Sequence, residues 1–245
     1  VLLLEAGGMR RAGPAQTLYR GEVDDGAGGR RHLALDQARY RQLGGTTSLW
    51  GGRCIPYDPI DFRERPWVPL SGWPFDADEL RPWYGRAHHW LQCGRQAYTV
   101  AEALGDGAGD MIEGFVDGAI DTRTLERWSP PTRFGKVYRK SLEADPKVRT
   151  VLGAVATEIL CDAAGRRVDG LRARRADGSG RFTVRPRQLV LAGGGLESTR
   201  LMMVSRQGDR PGIGNHSGWL GRGYMSHIHG VIARVQFASP RPVVA

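Results

Sequence analysis

An acidic residue, Glu5, directly follows four apolar residues at the start of the chain, and a pair of glycines comes shortly after it. In a dinucleotide-binding βαβ unit, an acid at the end of the second strand binds the ribose hydroxyls, about 20 residues after the glycine-rich turn. A carboxylate suits that task because it accepts hydrogen bonds from both hydroxyls. A solvated strand end gives the same pattern, so Glu5 alone leaves both interpretations open.

A second stretch that could do chemistry is LGGTTSLWGGR at positions 43–53, which sets four glycines and three hydroxyl side chains around Trp50. Glycine lets the backbone approach a flat ligand closely. The stretch therefore fits a phosphate cradle or a loop that covers a ring system. It fits a flexible linker poorly, because Leu43, Leu49 and Trp50 are apolar and linkers are not.

Three consecutive glycines at 193–195 stand between an apolar run at 189–192 and a helical pattern at 196–205. A helix N-terminus that follows a glycine turn is suited to bind a nucleotide phosphate. Tight packing of a strand against a helix also requires glycine, so the pattern by itself is compatible with either role.

Strands are predicted to position these candidates. Residues 1–4 are apolar on both faces, which predicts a strand of a parallel sheet that is covered on both sides. Three further runs, separated by turn residues, predict a β-meander at 148–159, 167–175 and 181–191. The last of these runs contains the apolar strand that is predicted to lead into the glycines at 193–195.

One long helix is predicted at residues 76–91, with Asp76 as its N-cap and apolar residues at helical spacing. His88 and His89 lie on it as neighbours that face apart, and we interpret both as surface histidines. Residues 92–135 contain much Gly and Asp with little periodicity, which predicts loops and short helices.

The first residues raise the question of what lies before them, because a buried parallel strand needs neighbours. The given sequence opens on Val1 rather than on a methionine or a recognisable signal-peptide pattern. We therefore expect the chain to be a fragment whose preceding strand and glycine-rich turn lie upstream of Val1.

Composition excludes several classes of protein. The net charge is +9, but the longest basic clusters, at 172–175 and 30–31, are short and match no nucleic-acid module. No stretch reaches the length of a membrane span. The three cysteines are far apart and indicate neither a disulfide framework nor a zinc site. A reducing, cytoplasmic location is favoured, and an export signal ahead of Val1 stays open.

Taken in order along the chain, the motifs resemble the glucose-methanol-choline (GMC) flavoprotein oxidoreductases, in particular the bacterial branch similar to pyranose oxidase and sugar dehydrogenases. The matching segments are residues 1–8, 44–53, PIDF at 59–62, 71–84, LVLAGGGLES at 189–198 and GRGYMSH at 221–227. Together these segments cover most of the chain, and their combination is specific although each alone is not.

The resemblance implies an α/β fold: a glutathione-reductase-type, Rossmann-like FAD-binding domain with a β-meander, interleaved with an α+β substrate domain, both incomplete. It assigns FAD-binding segments to 1–54 and 145–206. A substrate or cap segment would span 55–144, and 207–245 would begin the substrate-domain sheet.

The resemblance also implies which residues bind FAD. Glu5 would bind the adenosine ribose, and Val155 would meet the adenine through its backbone. The remaining candidates would lie along the pyrophosphate and the isoalloxazine: Gly45, Thr46, Thr47, Trp50, Ala192 and Gly193. Leu49 stands where some relatives carry a flavin-tethering histidine, so the FAD is expected to be non-covalent.

The expected reaction is oxidation of an alcohol, on a sugar or polyol, by hydride transfer to the flavin N5. No histidine of the chain is assigned as the base, which is expected beyond Ala245, and the fragment alone is expected to be inactive. His227 and His229 share one face of an extended segment and favour a hydrogen-bonding role over a metal site.

Two other functions remain open from the sequence. A Gly-rich, Trp-rich basic protein with meander strands could be a carbohydrate-binding or assembly module without redox activity. A nicotinamide enzyme could use Glu5 in the same way, but it would leave the glycine-rich stretch at 43–53 without an obvious task.

Overall fold

The computed structural model describes residues 1–24, 32–108, 112, 122–206 and 212–225, together with the single residues 231, 234 and 236. The chain divides into two compact units. The first comprises Val1–Leu49 and Arg133–Gly230, and the second comprises Trp50–Thr132 and Val231–Ala245. The fold is mixed α/β, and the predicted functional roles of the four segments stay predictions.

The first unit begins with strand β1 (Leu2–Glu5), which pairs in parallel with β4 (Arg149–Leu152). The predicted parallel pairing is therefore confirmed. The predicted cover on both sides is only partly met, since Leu2 is 42% exposed and Val1 is 85% exposed. Within the described residues β1 has a neighbour on one edge only, and its first residues lie outside the packed part of the unit.

The run predicted as one strand at 148–159 is two strands, and that prediction was wrong. Gly153 separates β4 from β5 (Ala154–Cys161) with φ of 67°, a left-handed conformation that breaks a ladder and favours glycine. The strand before Gly153 joins β1, and the strand after it starts a different sheet.

That second sheet is the predicted β-meander, with antiparallel order β5–β6–β7. Strand β6 is Val168–Arg175 and β7 is Arg181–Val184. The meander is confirmed, but its third strand ends seven residues earlier than predicted. Pro186 follows shortly and lacks the N–H that a ladder requires.

The predicted strand at 189–192 is absent from the described structure, which corrects the sequence prediction. A strand forms only when a neighbour binds its backbone groups, and no described strand lies beside this segment. The alternation of the segment is nevertheless visible: Leu189 and Leu191 pack against the core, while Val190 is 81% exposed.

Helix α7 (Gly195–Val204) follows, close to the predicted range, and closes the core of the first unit. Its Leu201 packs with Ile159 and Leu171 from the meander. At its end, Ser205 is fully buried, accepts a hydrogen bond from the Ile159 N–H at 2.8 Å and donates one to the Leu201 carbonyl. These bonds fasten the helix to β5.

The second unit contains α3 (Ala77–Leu91), and the predicted helix is confirmed. Asp76 is its N-cap, as expected, and accepts hydrogen bonds from the Asp78 and Glu79 N–H groups. A two-residue antiparallel pair joins β2 (Arg53–Cys54) to β3 (Arg127–Trp128). Helix α4 (Val100–Leu104) begins with a capping box made by Thr99 and Glu102.

The remaining helices are short. Within the described ranges they are α1 (Gly13–Thr17), α2 (Leu35–Ala38), α5 (Phe134–Val137), α6 (Arg139–Ala144) and 3-10 helices at Gly45–Ser48 and Pro59–Phe62. None of the helices in the described part of the chain has the length and apolar character of a membrane span.

Candidate functional site

Glu5 lies at the carboxyl end of β1, where ligands of open α/β sheets commonly bind. The turn that follows it meets the turn after β4, because the Gly153 N–H donates a hydrogen bond to the Gly7 carbonyl at 2.9 Å. In the strand register Glu5 is opposite Leu152. Both chain reversals therefore lie at one edge of the parallel sheet, beside the candidate acid.

The Glu5 carboxylate is partly buried and accepts few hydrogen bonds. Its Oε1 accepts the Gly7 N–H at 2.7 Å, and within the described residues its Oε2 accepts no hydrogen bond from the chain. Burial raises the pKa of Glu5, and the Gly7 N–H and the charge of Arg41 offset that shift only in part. This carboxylate thus keeps unused acceptor capacity in a half-buried position.

The glycine-rich stretch starts next to this turn. Gly8 forms an isolated parallel β-bridge with Gln42, and the Leu43 N–H donates a hydrogen bond to the Gly8 carbonyl at 2.9 Å. The close approach of these two backbone segments requires a glycine at position 7, since a Cβ there would lie 2.1 Å from the Arg41 carbonyl oxygen. The structure therefore brings Glu5 and the beginning of the 43–53 stretch together.

Close backbone packing also shapes the stretch itself. Gly44 has φ of 84°, and a Cβ on it would lie 2.1 Å from the Gly135 nitrogen. A Cβ on Gly135 would lie 1.9 Å from the Leu43 carbonyl oxygen. Two glycines that are distant in sequence thus let α5 contact the turn directly, a pairing that the sequence analysis did not identify.

The two predicted threonines differ in their hydrogen bonding. Thr47 donates its hydroxyl to the Gly44 carbonyl at 2.5 Å and accepts the Phe134 N–H at 3.1 Å, so its oxygen fastens the 3-10 helix to α5. Thr46 is exposed and accepts the Tyr40 N–H at 3.3 Å. Gly45, the first residue of this helix, is partly buried.

Trp50 belongs to the second compact unit, whereas the other seven predicted FAD-binding residues belong to the first. Its indole Nε1–H donates to the Thr132 carbonyl at 3.0 Å. The indole N–H therefore has a structural partner within its own unit.

Three predicted residues lie on other elements of the first unit. Val155 is buried in β5, opposite Arg174 of β6. Ala192 and Gly193 are exposed, just before α7. Ala192 and Gly193 share the first unit with Glu5, but among the described residues neither forms a hydrogen bond with its carboxylate.

An ion cluster, which the sequence analysis missed, ties α7 to the segment before the glycine-rich stretch. Arg39 donates to Glu197 Oε1 at 3.1 Å, and Arg41 donates to Glu197 Oε2 at 2.7 Å. Both guanidinium groups lie 4.2 Å from the centroid of the Tyr19 ring, within cation–π range. Arg200 adds a third guanidinium on Oε2 at 3.0 Å.

The cluster determines the ionisation of Glu197. Burial alone would raise the pKa of its carboxyl group, but Arg200, Arg41 and Arg39 together lower it below the usual glutamate value. The only sequence signal was the position of Glu197 two residues after the three glycines, within a motif already selected for other reasons. The cluster holds three guanidinium groups and one carboxylate, which leaves a positive surplus near the N-terminus of α7.

The chain is similar in sequence to proteins that are named as dehydrogenases or oxidoreductases. A 2-methyl-1,2-propanediol dehydrogenase of Mycolicibacterium austroafricanum is 22% identical over 244 aligned residues, which cover 79% of this chain and 42% of that protein. An uncharacterized GMC-type oxidoreductase of Mycobacterium bovis is 31% identical over 104 residues, covering 42% of this chain and 18% of that protein. Part of the chain is thus similar in sequence to a protein named as a GMC-type oxidoreductase. No protein-family model matches it.

The GMC resemblance seen in the sequence is thereby confirmed, and the chain spans less than half the length of these relatives. Among solved structures, formate oxidase is similar with a TM-score of 0.42 and 18% identity, covering 84% of this chain and 43% of formate oxidase.

One prediction about the histidines was wrong, and another falls outside the described residues. His88 is 6% exposed rather than a surface residue. Its Nδ1 pairs with the Gly94 carbonyl at 3.1 Å and its Nε2 with the Tyr98 hydroxyl at 2.5 Å, so the residue links α3 to the following segment. His89 is exposed, as predicted. His227 and His229 lie outside the described residues.

Within the described ranges, no group of three or more His, Cys, Asp or Glu side chains could hold a metal ion.

Proposed function

We propose that the chain is part of an FAD-dependent enzyme that oxidises an alcohol, on a sugar or polyol, and holds its FAD without a covalent bond. The observation that carries the proposal is the half-buried Glu5 carboxylate at the carboxyl edge of the parallel sheet, beside the glycine-rich stretch. The sequence relation to GMC-type oxidoreductases supports it.

An adenosine ribose could supply hydrogen bonds that the Glu5 carboxylate lacks. Burying a carboxylate is unfavourable unless hydrogen bonds or charges compensate, and the Gly7 N–H is the one hydrogen bond that the described chain gives it. Two ribose hydroxyls would donate to the remaining lone pairs. The residue type and its surroundings therefore suit the proposed ligand.

The glycines before α7 also fit a bound phosphate. A Cβ added to Gly194 or Gly195 would meet no atom within 4 Å, so the backbone there faces open space. The positive end of the ten-residue helix points to this region, and the Arg39–Arg41–Glu197 cluster adds a positive surplus. An anionic pyrophosphate would be stabilised at such a place, near Ala192 and Gly193.

When bound, FAD would accept a hydride at its N5 position. In this proposal Glu5 binds the ribose, Val155 meets the adenine through its backbone, and Gly45 allows the backbone to approach the cofactor. Thr46 keeps an exposed hydroxyl for a polar contact, while Thr47 holds the turn in shape through Gly44 and Phe134. Trp50 is proposed to border the isoalloxazine.

The substrate class is the less specific part of the proposal. One relative is named for its action on a vicinal diol, 2-methyl-1,2-propanediol, which supports an alcohol or polyol substrate. Leu49, the place where some family members tether flavin, has no nucleophilic atom, which supports non-covalent binding.

The test is anaerobic mixing of the full-length protein with a panel of sugars, polyols and short diols, followed by visible absorption. An alcohol substrate should bleach the absorption bands of the oxidised flavin after mixing. A ketone or aldehyde product should accumulate in an amount equal to that of the reduced flavin. A flavin that no alcohol reduces would contradict the proposed reaction. A colourless protein that binds glycans would instead favour the carbohydrate-binding module.

A further inference from the structure

Two cysteines that are 39 positions apart meet in the second unit. The Cys93 thiol donates to Cys54 Sγ at a distance of 3.4 Å. Cys54 ends the two-residue strand β2, and Cys93 follows the C-terminal end of α3. Their separation in sequence gave no sign of this contact, and the spacing of the three cysteines indicated no disulfide framework.

The two thiols differ in access. Cys93 is 3% exposed, whereas Cys54 is only partly buried. A reagent from solution can therefore reach Cys54 first. The Cys93 sulfur lies 3.4 Å from the Cys54 sulfur, within short reach of it.

A partly buried arginine, Arg127, lies beside this pair. Arg127 is opposite Cys54 in the β2–β3 ladder, and its Nε has no hydrogen-bond partner among the described residues. Burial raises the pKa of the Cys93 thiol to about 11, with a smaller contribution from the hydrogen bond to Cys54, and the charge of Arg127 acts in the opposite direction. Arg127 thus offsets part of the effect of burial on the thiolate, the form of cysteine that attacks a disulfide.

We propose that Cys54 and Cys93 form a redox-active dithiol, which a small-molecule disulfide such as glutathione disulfide oxidises to an intramolecular disulfide. The Cys54 thiolate attacks one sulfur of glutathione disulfide and releases one glutathione thiolate, which takes up a proton. The Cys93 thiolate then attacks Cys54 Sγ, and the second glutathione leaves as its thiol. The two protein thiols lose two electrons and two protons, and glutathione disulfide gains them.

The local geometry allows closure with little movement. A disulfide has an S–S length of about 2.05 Å, so the sulfur atoms must approach by somewhat more than 1 Å from 3.4 Å. The end of α3 is held by other bonds, including Thr132 Oγ1–H to the Leu91 carbonyl at 2.9 Å and the Cys93 N–H to the His88 carbonyl at 3.1 Å. Movement of the partly exposed Cys54 on its short strand is therefore the easier route.

The experiment treats the reduced full-length protein with glutathione disulfide, removes the excess, and records intact mass and a non-reducing peptide map. The mass should fall by two hydrogen atoms, and one peptide pair should be linked through Cys54 and Cys93. A stable glutathione adduct on Cys54 without the link, a link that contains Cys161, or no reaction at either residue would each overturn the proposal.

Two variants serve as controls. Cys161→Ser should keep the link, because Cys161 lies in the first unit. Cys93→Ser should stop at the glutathione adduct on Cys54, since the resolving thiol is gone. The map of the unsubstituted protein decides the proposal even where Cys93→Ser fails to fold.

Discussion

Glu197 on α7 accepts a hydrogen bond from Arg41 at 2.7 Å, across 156 positions of sequence. Arg41 lies three residues before Gly44, and Glu197 lies two residues after Gly195. The pair therefore holds the first turn of α7 next to the start of the glycine-rich stretch. Both segments carry residues that are proposed to bind FAD, so this contact positions one against the other.

Replacing Glu197 with glutamine is expected to destabilise the protein at neutral pH by about 2 kcal/mol, because Arg39 and Arg41 lose their buried countercharge. The folded-state pKa of Glu197 is lowered, so its stabilising contribution is present above the usual glutamate pKa of 4.5 and is lost as pH falls through the folded-state value. Urea unfolding at neutral pH and well below pH 4.5 should show a difference that shrinks in acid.

The matched control for this substitution is Glu143→Gln. Glu143 pairs with Arg139 at 3.5 Å on an exposed helix surface, with 56% of its side chain accessible. Exposed pairs of this kind contribute between about 0 and 1 kcal/mol. If Glu197→Gln and Glu143→Gln lower the free energy of unfolding equally, the ion cluster stabilises the protein no more than an exposed pair, which would contradict the prediction.

Glu5→Gln should change stability in the opposite direction. The folded-state pKa of Glu5 is raised by burial, so the ionised form opposes folding once pH exceeds that value, and the protonated form below pH 4.5 does not. The glutamine variant should therefore melt at a higher temperature than the parent at neutral pH. That advantage should disappear in acid, and a variant that is less stable at neutral pH would count against burial as the dominant effect.

Glu5→Ala tests the proposed ribose contact. Hydrogen bonds to a charged acceptor contribute about 1.5 to 3 kcal/mol each, less where water substitutes. Loss of even one should weaken FAD binding by about tenfold or more, using roughly 1.4 kcal/mol per factor of ten. The measurement is a fluorescence titration of the apoprotein with FAD. The exposed Glu22→Ala is the control, and an unchanged dissociation constant in Glu5→Ala would remove Glu5 from the site.

Gly135→Ala tests the backbone contact between α5 and the glycine-rich turn. The new Cβ would lie 1.9 Å from the Leu43 carbonyl oxygen, so the backbone must shift, at a loss of about 1 to 3 kcal/mol in unfolding free energy. Gly13→Ala is the comparison, since a Cβ there meets nothing within 4 Å and alanine favours the helix. Similar melting temperatures for both variants would contradict the close packing.

Local signals in the sequence sufficed for α3, because Asp76 and the apolar spacing act within one helix. The β-meander could likewise be predicted from the turn residues that separate its strands. The break at Gly153 was missed, because glycine within an apolar run does not reveal which sheet each half joins. Residues 189–192 were wrongly assigned to a strand, since pairing depends on a neighbour that no local pattern specifies.

The site was predictable only where it consists of short motifs. Glu5 and the stretch at 43–53 stand out by composition, and the structure places them next to one another. The bonds from Glu197 to Arg39 and Arg41, the Gly44–Gly135 contact and the buried His88 join residues that are far apart or depend on burial. Such relationships follow from tertiary packing, and a single sequence does not encode them in any periodic pattern.

The central claim is that the protein holds FAD without a covalent bond, and the most direct test is acid precipitation of the purified full-length protein. We predict that the native protein shows the visible absorption bands of oxidised flavin, and that FAD appears in the supernatant in an amount close to one per chain. Flavin colour that stays with the denatured pellet would contradict non-covalent binding. A full-length protein that contains no flavin, and takes none up when FAD is added, would contradict the account as a whole.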